Sequence, residues 1–344
     1  MIRLFVLVII FLFVSLSAQA QETESLFTPV QEDPVIDHST HELLDQKYSN
    51  PGAMIYHDGQ FHMFRNGFSS WPGRVTIVYL TSPDGLAWTV VGDEPVIDKE
   101  DVPFAGRLIM ASSVLVMDDG TWVLYFYTWD SFNAPIGVGS IGRATATSPE
   151  GPWTAAPEPL LVAGPEGSWD EQQVGVPSVV KHEGMYYMYY SGFASSGGFD
   201  QMRIGLAMSE DGVNWTRYDD PGTTEPPFAE SDPVLVRIED GWDFQGVERP
   251  RVVIVDDTFY MVYRSRDASA GLGLAVSDDG IHWTRPLDMP ISVPSDVPDG
   301  QSVWLFALLH HDDTFWLYQE MCSPGCSDSD IYLMTKESDL VELP

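Results

Sequence analysis

The feature that most narrows what this chain can become is one phrase, a tight turn followed by tryptophan, that occurs four times. The copies are Ser82-Pro83-Asp84-Gly85-Leu86-Ala87-Trp88, Ser148-Pro149-Glu150-Gly151-Pro152-Trp153, Ser209-Glu210-Asp211-Gly212-Val213-Asn214-Trp215 and Ser277-Asp278-Asp279-Gly280-Ile281-His282-Trp283. Their glycines lie 66, 61 and 68 residues apart, a period too long for a helical solenoid unit. Ahead of each copy, and once more near the C-terminus, stands an apolar strand, an acidic turn and an alternating aromatic strand: 53–64, 114–125, 178–189, 251–262 and 307–318. β-Branched and aromatic runs around His57-Asp58-Gly59, Asp118-Asp119-Gly120 and His182-Glu183-Gly184 read as hairpins. A third strand follows in each unit (75–80, 142–147, 204–208, 272–276, 331–335), and the turn leads to a fourth that carries the tryptophan.

Five units of four antiparallel strands, with almost no helical periodicity, predict an all-β, five-bladed β-propeller, whose radial closure leaves only short sheet edges. A β-sandwich does not produce a regular period above 60 residues. Three units end on Pro-Val-Ile or a relative of it (94–97, 158–161, 232–235), and Asp33-Pro34-Val35-Ile36 repeats the phrase before the first hairpin. The fifth unit lacks a tryptophan turn, so the N-terminal segment is expected to complete the last blade and close the ring. The repeated tryptophans are expected to fill the space between blades.

Residues 1–20 carry Arg3, an apolar run from Leu4 to Leu16 and Ala18-Gln19-Ala20, which read as a secretory signal peptide. The expectation is therefore a secreted protein, extracellular or periplasmic, with residues 21–344 forming one propeller domain, monomeric and free of the membrane. Acidic residues number 51 against 17 basic ones, for a formal charge of −34. That excludes the cationic patch nucleic acid requires. Cys322 and Cys326 are suited to one local disulfide, not to a zinc site. No metal-binding helix, nucleophile elbow or phosphate loop is present, so no cofactor and no metal are expected, and nothing in the sequence indicates an axial calcium.

In a propeller the first strand of every blade borders the axis, which makes the axial pocket the default site. Alignment of the hairpins puts Asn50, Ala111, Gly175, Glu248 and Trp304 at one equivalent position, with Arg249 and Arg251 following Glu248. Trp169-Asp170 and Trp242-Asp243 precede the strand prolines Pro177 and Pro250, and Asp45 and Asp299 take the same aligned place in blades one and five. Recurrence in four blades suits a structural hydrogen-bond acceptor, but these loops also face the channel mouth, so Asp45 and Asp170 are candidate bases.

The run from Tyr48 to Phe64 resembles the opening of the invertase and fructan-hydrolase family, where Asn-Asp-Pro-Asn-Gly precedes an apolar strand and a Gly-x-Tyr-His-Leu-Phe run. Ala111-Ser112-Ser113-Val114, Val176-Pro177-Ser178 and Glu248-Arg249-Pro250 stand where that family has its second-, third- and fourth-blade motifs, and Glu248-Arg249-Pro250 is also similar to the Glu-x-Pro strand of arabinanase and xylosidase propellers. The resemblance implies glycosidic bond hydrolysis in the axial pocket. It also implies aspartates at positions 50 and 176, where this chain has Asn50 and Val176. An amide cannot attack an anomeric carbon as a carboxylate does, and hydrolysis ordinarily needs two carboxyl groups.

The expected function is a secreted glycoside-hydrolase-like propeller acting on poly- or oligosaccharide. Glu248 is the expected general acid, Asp45 or Asp170 the base, and Asn50, Arg107, Arg249, Arg251 and Trp304 the sugar contacts. The alternative is a lectin-like propeller that binds carbohydrate without cleaving it. Asn50-Pro51-Gly52-Ala53 also resembles the mannoside-phosphorylase propellers, and the arginines suit an anionic sugar or phosphate.

Overall fold

The computed structural model describes residues 25–70, 73–129, 139–194, 202–266, 271–296 and 302–337. The expected signal peptide and Asp299 lie outside them. Five antiparallel sheets and no α-helix occur among the described residues. Blade 1 consists of Tyr48–His57, Gln60–Phe68, Thr76–Ser82 and Thr89–Val90. Blade 2 runs through Leu108–Val116, Trp122–Trp129, Gly139–Ala146 and Thr154–Ala155, and blade 3 through Gln173–His182, Met185–Phe193, Arg203–Ser209 and Thr216–Arg217. Blade 4 has Val247–Val255, Thr258–Ser265 and Leu272–Ser277, its fourth position reduced to a bridge between Val276 and Thr284.

Blade 5 contains Val303–His311, Thr314–Cys322 and Ser329–Glu337, and its outer strand is Thr28–Pro29 from the N-terminal segment. Ile36 bridges Ile331 in the same blade, as Ile97 bridges Ile77 and Leu161 and Leu235 pair with Ile141 and Ile204. The repeated Pro-Val-Ile phrase thus always returns to the third strand, and its N-terminal copy joins the chain ends. The first strands pack against one another in the cyclic order of the blades, blade 5 against blade 1 included. They therefore surround the axis.

Local turn chemistry fixes the repeats. Asp58 and Gly59, Glu183 and Gly184, Asp256 and Asp257, and Asp312 and Asp313 all have positive φ, the backbone of the two-residue hairpin turn whose twist matches its strands. In the Asp-Gly phrases the carboxylate accepts the next backbone donors: Asp211 Oδ1 takes the N–H groups of Val213 (2.8 Å) and Asn214 (2.7 Å), and Asp84 and Asp279 repeat this. These bonds hold all three carboxyls below their ordinary pKa, burial at Asp279 opposing them.

The tryptophans lie between blades. Trp153, Trp215, Trp283 and Trp88 meet Phe64, Tyr125, Tyr189 and Tyr318 of the preceding blade edge-on, with centroids 5.4, 6.2, 5.5 and 5.8 Å apart. The equivalent residue of blade 4 is Val262, whose next blade has no such tryptophan. The three tyrosines also donate their hydroxyls across the blade boundary to Gly212, Gly280 and Gly85 carbonyls. Phenylalanine at Tyr125, Tyr189 or Tyr318 is expected to cost about 1 kcal/mol each, adding to about 3 kcal/mol in the triple variant, as measured by denaturant titration.

Candidate functional site

Each inner strand breaks register once, at one level of the axis: between Asn50 and Ala53, Ala111 and Ser113, Gly175 and Ser178, Glu248 and Arg251, and Val303 and Phe306. Bulges bend the strand and re-aim side chains where they fall. Val176 and Arg249 sit in them at φ 51° and 58°, a conformation that costs a non-glycine residue about 1–3 kcal/mol and concentrates at functional sites. At the matching turn in blade 1 only glycine fits, because a Cβ on Gly52 would lie 2.0 Å from the Phe64 carbonyl oxygen. The fifth bulge falls one residue earlier than the sequence alignment implies. Trp304 therefore lies inside it, 37% exposed, whereas Asn50 and Glu248 precede theirs.

A second ring, not foreseen from the sequence, comes from the second strands. Asn66 pairs with Asn50, Ser191 with Gly175 and Arg264 with Glu248, while Tyr127 and Glu320 stand at the same level in blades 2 and 5. These side chains tie neighbouring blades together. Asn66 Nδ2 donates to the Ala111 carbonyl and to Asn50 Oδ1 (both 2.9 Å), and Asn66 Oδ1 accepts the Ala111 N–H at 2.8 Å. Ser191 Oγ accepts the Arg249 N–H at 2.7 Å, and Arg264 Nε donates to the Val303 carbonyl at 2.7 Å.

Among the described residues, four polar atoms at this level are buried and find no hydrogen-bond partner: Asn50 Nδ2, Ser112 Oγ, Arg264 Nη2 and Glu320 Oε2. Such groups are few in native proteins and call for a reason. The reason at Asn50 is directional. Its Oδ1 already accepts from Gly52 N–H (3.1 Å) and Asn66, so the amide presents its donor end, where a carboxylate would present an acceptor.

Glu248 is 2% exposed. Its Oε1 accepts from Arg264 Nη1 and lies 3.6 Å from Arg249 Nε and 3.7 Å from Arg266 Nη1. Burial raises the pKa of this carboxyl, but the three guanidiniums lower it further, so Glu248 is held ionised below the usual glutamate range. Glu320 has the opposite state. It is also 2% exposed, and its Oε1 accepts from Ser329 Oγ at 2.8 Å. Burial pushes its pKa up to about 7, opposed only in part by Ser329, Arg249, the Leu305 N–H and Arg65. The two carboxyl groups share Arg249 as an electrostatic neighbour, and the Tyr127 phenol, pushed up to about 12 mainly by burial, feels both of them together with Arg249 and Arg251.

Arg249 and Arg264 lie over the Trp304 ring, 5.6 and 5.0 Å from its centroid, and Arg249 Nη1 also donates to the Trp304 carbonyl. Arg251 is buried, with Nε on the Phe306 carbonyl (2.8 Å) and Nη1 on the Pro250 carbonyl (3.0 Å). It makes no ion pair among the described residues, and burial pushes its pKa down to about 10. Beyond the bulges the axis opens into a cavity of about 430 Å³, bordered by Gly52, Ser112, Ser178, Arg251 and Ala307.

The structure thus brings Asn50, Glu248, Arg249 and Trp304 to the axial bulges, with Arg251 just beyond them, and it corrects two expectations. Asp170 is fully buried within blade 3, accepting from Arg217 Nε (2.9 Å), Tyr190 Oη (3.0 Å) and Ser168 Oγ (3.0 Å). Arg217 belongs to the outermost strand, and Asp243 repeats the arrangement with Arg285 and Tyr263 in blade 4, so this aspartate anchors the blade and is not a base at the axis. Asp45 and Arg107 are both exposed, on the segments leading into blades 1 and 2. Cys322 and Cys326 are free thiols rather than a disulfide, and burial pushes Cys322 up to about 12.

No protein-family model matches the chain. Among curated proteins it is similar to a 1,2-beta-oligomannan phosphorylase of Thermoanaerobacter sp. (strain X514), 27% identical over 154 residues, or 41% of this chain. The match spans about half of that relative, 47% of its length. Among solved structures it resembles the GH43_1 enzyme from Xanthomonas citri complexed with xylose, with a TM-score of 0.59 and 17% identity over 89% of this chain and 90% of that one. A thermostable family-43 glycoside hydrolase gives 0.64 and 16% over 84% and 90%. A putative glycoside hydrolase from Bacteroides ovatus ATCC 8483 gives 0.61 and 15% over 94% and 96%. These likenesses establish the fold, a five-bladed β-propeller.

Proposed function

We propose that the chain binds a saccharide at the axial bulges and hydrolyses a glycosidic bond there. The observation that carries this reading is a pair of buried carboxyl groups in contrasting surroundings at the axial bulges, Glu248 among three guanidiniums and Glu320 against the Ser329 hydroxyl. Environments that push two carboxyls apart in pKa separate the acid from the base. The roles differ from those the sequence suggested: Glu248, held ionised, opposes the positive charge that develops on the sugar ring, and Glu320, protonated up to about pH 7, supplies the proton to the departing oxygen; water then adds to the anomeric carbon and returns a proton to the Glu320 carboxylate. Asn50 and Trp304 contact the sugar, the amide as donor and the indole as an apolar face. The fold shared with glycoside hydrolases supports the substrate class.

A second reading, binding without cleavage, is favoured by the near-complete burial of both carboxyl groups and by Asn50 and Val176. Incubation with plant and algal glycans, reading reducing ends, separates the two. Hydrolysis predicts sugar release that falls at least 100-fold in Glu248→Gln and in Glu320→Gln. Retained glycan binding with no release by the unmodified protein sinks the hydrolytic reading and leaves the binding one.

A further inference from the structure

The charge at the axis opposes that of the molecule. The chain carries −34 overall, yet Arg249, Arg264 and Arg266 approach the Glu248 carboxylate at the fourth-blade bulge, and Arg251, on the far side of that bulge, makes no ion pair among the described residues. Glu320 adds no charge while protonated. Buried guanidiniums without matching carboxylates are costly, and burial depresses Arg251 and Arg264 to about 10. Arg264, 1% exposed, keeps Nη2 without a hydrogen-bond partner among the described residues, and Arg251 borders the cavity with two of its nitrogens on backbone carbonyls.

Resting on the saccharide reading above, we infer that the ligand is an acidic saccharide whose ring carboxylate is received by Arg249, Arg251 and Arg264. Planar guanidiniums match a carboxylate with two parallel N–H bonds. Free phosphate shares this oxyanion chemistry, but the same guanidiniums lie beside the partly exposed Trp304 ring, which places an aromatic face for a sugar next to the anion-binding nitrogens. At about 0.15 M salt the Debye length is roughly 8 Å, so the acidic exterior does not keep such a ligand from the axis.

The test is calorimetric binding at that salt concentration. The probes are galacturonate, glucuronate and guluronate trimers, the same trimers with carboxyl groups reduced to alcohols, xylotriose, and inorganic phosphate. At least one acidic trimer is expected to bind tenfold or more tighter than its reduced twin, with the advantage lost in Arg249→Met and in Arg251→Met. Arg249 is the partly exposed member, and circular dichroism verifies that each variant folds. If reduced trimers or xylotriose bind as well as or better than every acidic trimer, the inference falls and the saccharide reading stands. Saturation by phosphate with no response to acidic trimers also overturns it. Failure of every saccharide removes both.

Discussion

Replacing Glu320 by glutamine is expected to leave stability unchanged near pH 4 and to raise it by about 3 kcal/mol at pH 8. The carboxyl titrates near 4.5 when exposed and near 7 in the folded chain. An acid whose folded pKa is raised binds more protons folded than unfolded between those values, so stability falls as pH rises through the interval. The contribution is fully present below 4.5 and lost by the time pH has passed 7. Glutamine keeps the neutral form at every pH, so the gap between variant and parent opens across this window and then levels off. Chemical denaturation of both proteins at each pH measures it. A constant gap from pH 4 to pH 8 contradicts the assignment of a buried, proton-bearing Glu320.

The second large effect concerns ring closure. Phe27 and Ile36, 1% and 3% exposed, bury the N-terminal segment against blade 5, where the Val35 N–H donates to the Ile331 carbonyl at 2.8 Å and Ile331 returns a bond to Ile36 at 3.1 Å. Truncating both to alanine is expected to cost about 5–8 kcal/mol, comparable to the whole stability of many domains. Circular dichroism is expected to show a largely unfolded or sharply destabilised chain at 37 °C. Equal truncations at Val162 and Val236, which are exposed, are expected to change stability by less than about 0.5 kcal/mol. A double variant with an unaltered melting curve contradicts closure by this segment.

The fold was legible because local rules repeat in it. Asp211 must cap the next two backbone N–H groups, Asp58-Gly59 must adopt positive φ, and Trp215 must pack on Tyr125, so each blade writes the same letters at the same offsets. Ring closure was legible for the same reason, through Pro34-Val35-Ile36. The site was legible only on the inner strands. Glu248 and Asn50 stood out because alignment brings them to one level, but their partners lie on second strands, where Arg264 and Glu320 read as ordinary members of alternating aromatic runs. Counting those strands from their hairpin turns puts Asn66, Tyr127, Ser191, Arg264 and Glu320 in register, the signal that could have found them.

What composition and spacing do not carry is the protonation state. Glu248 looked like an acid in a dry channel, and three guanidiniums reverse that expectation. Glu320 carries no motif at all, and its raised pKa arises from burial, which contacts from blades 1, 4 and 5 offset only in part. Asp170 failed as a base for a related reason. Its recurrence with Asp243 reflected a blade anchor, and only the positions of Arg217 and Arg285 show where those carboxylates point.

The most direct measurement is a crystal structure of the unmodified chain soaked with whichever oligosaccharide binds in solution. A sugar ring seated at the axial bulges, with polar groups on Asn50 Nδ2 and Arg264 Nη2 and its face toward Trp304, is the predicted result. A sugar bound on an outer blade face, with the axial level closed to it, contradicts the account.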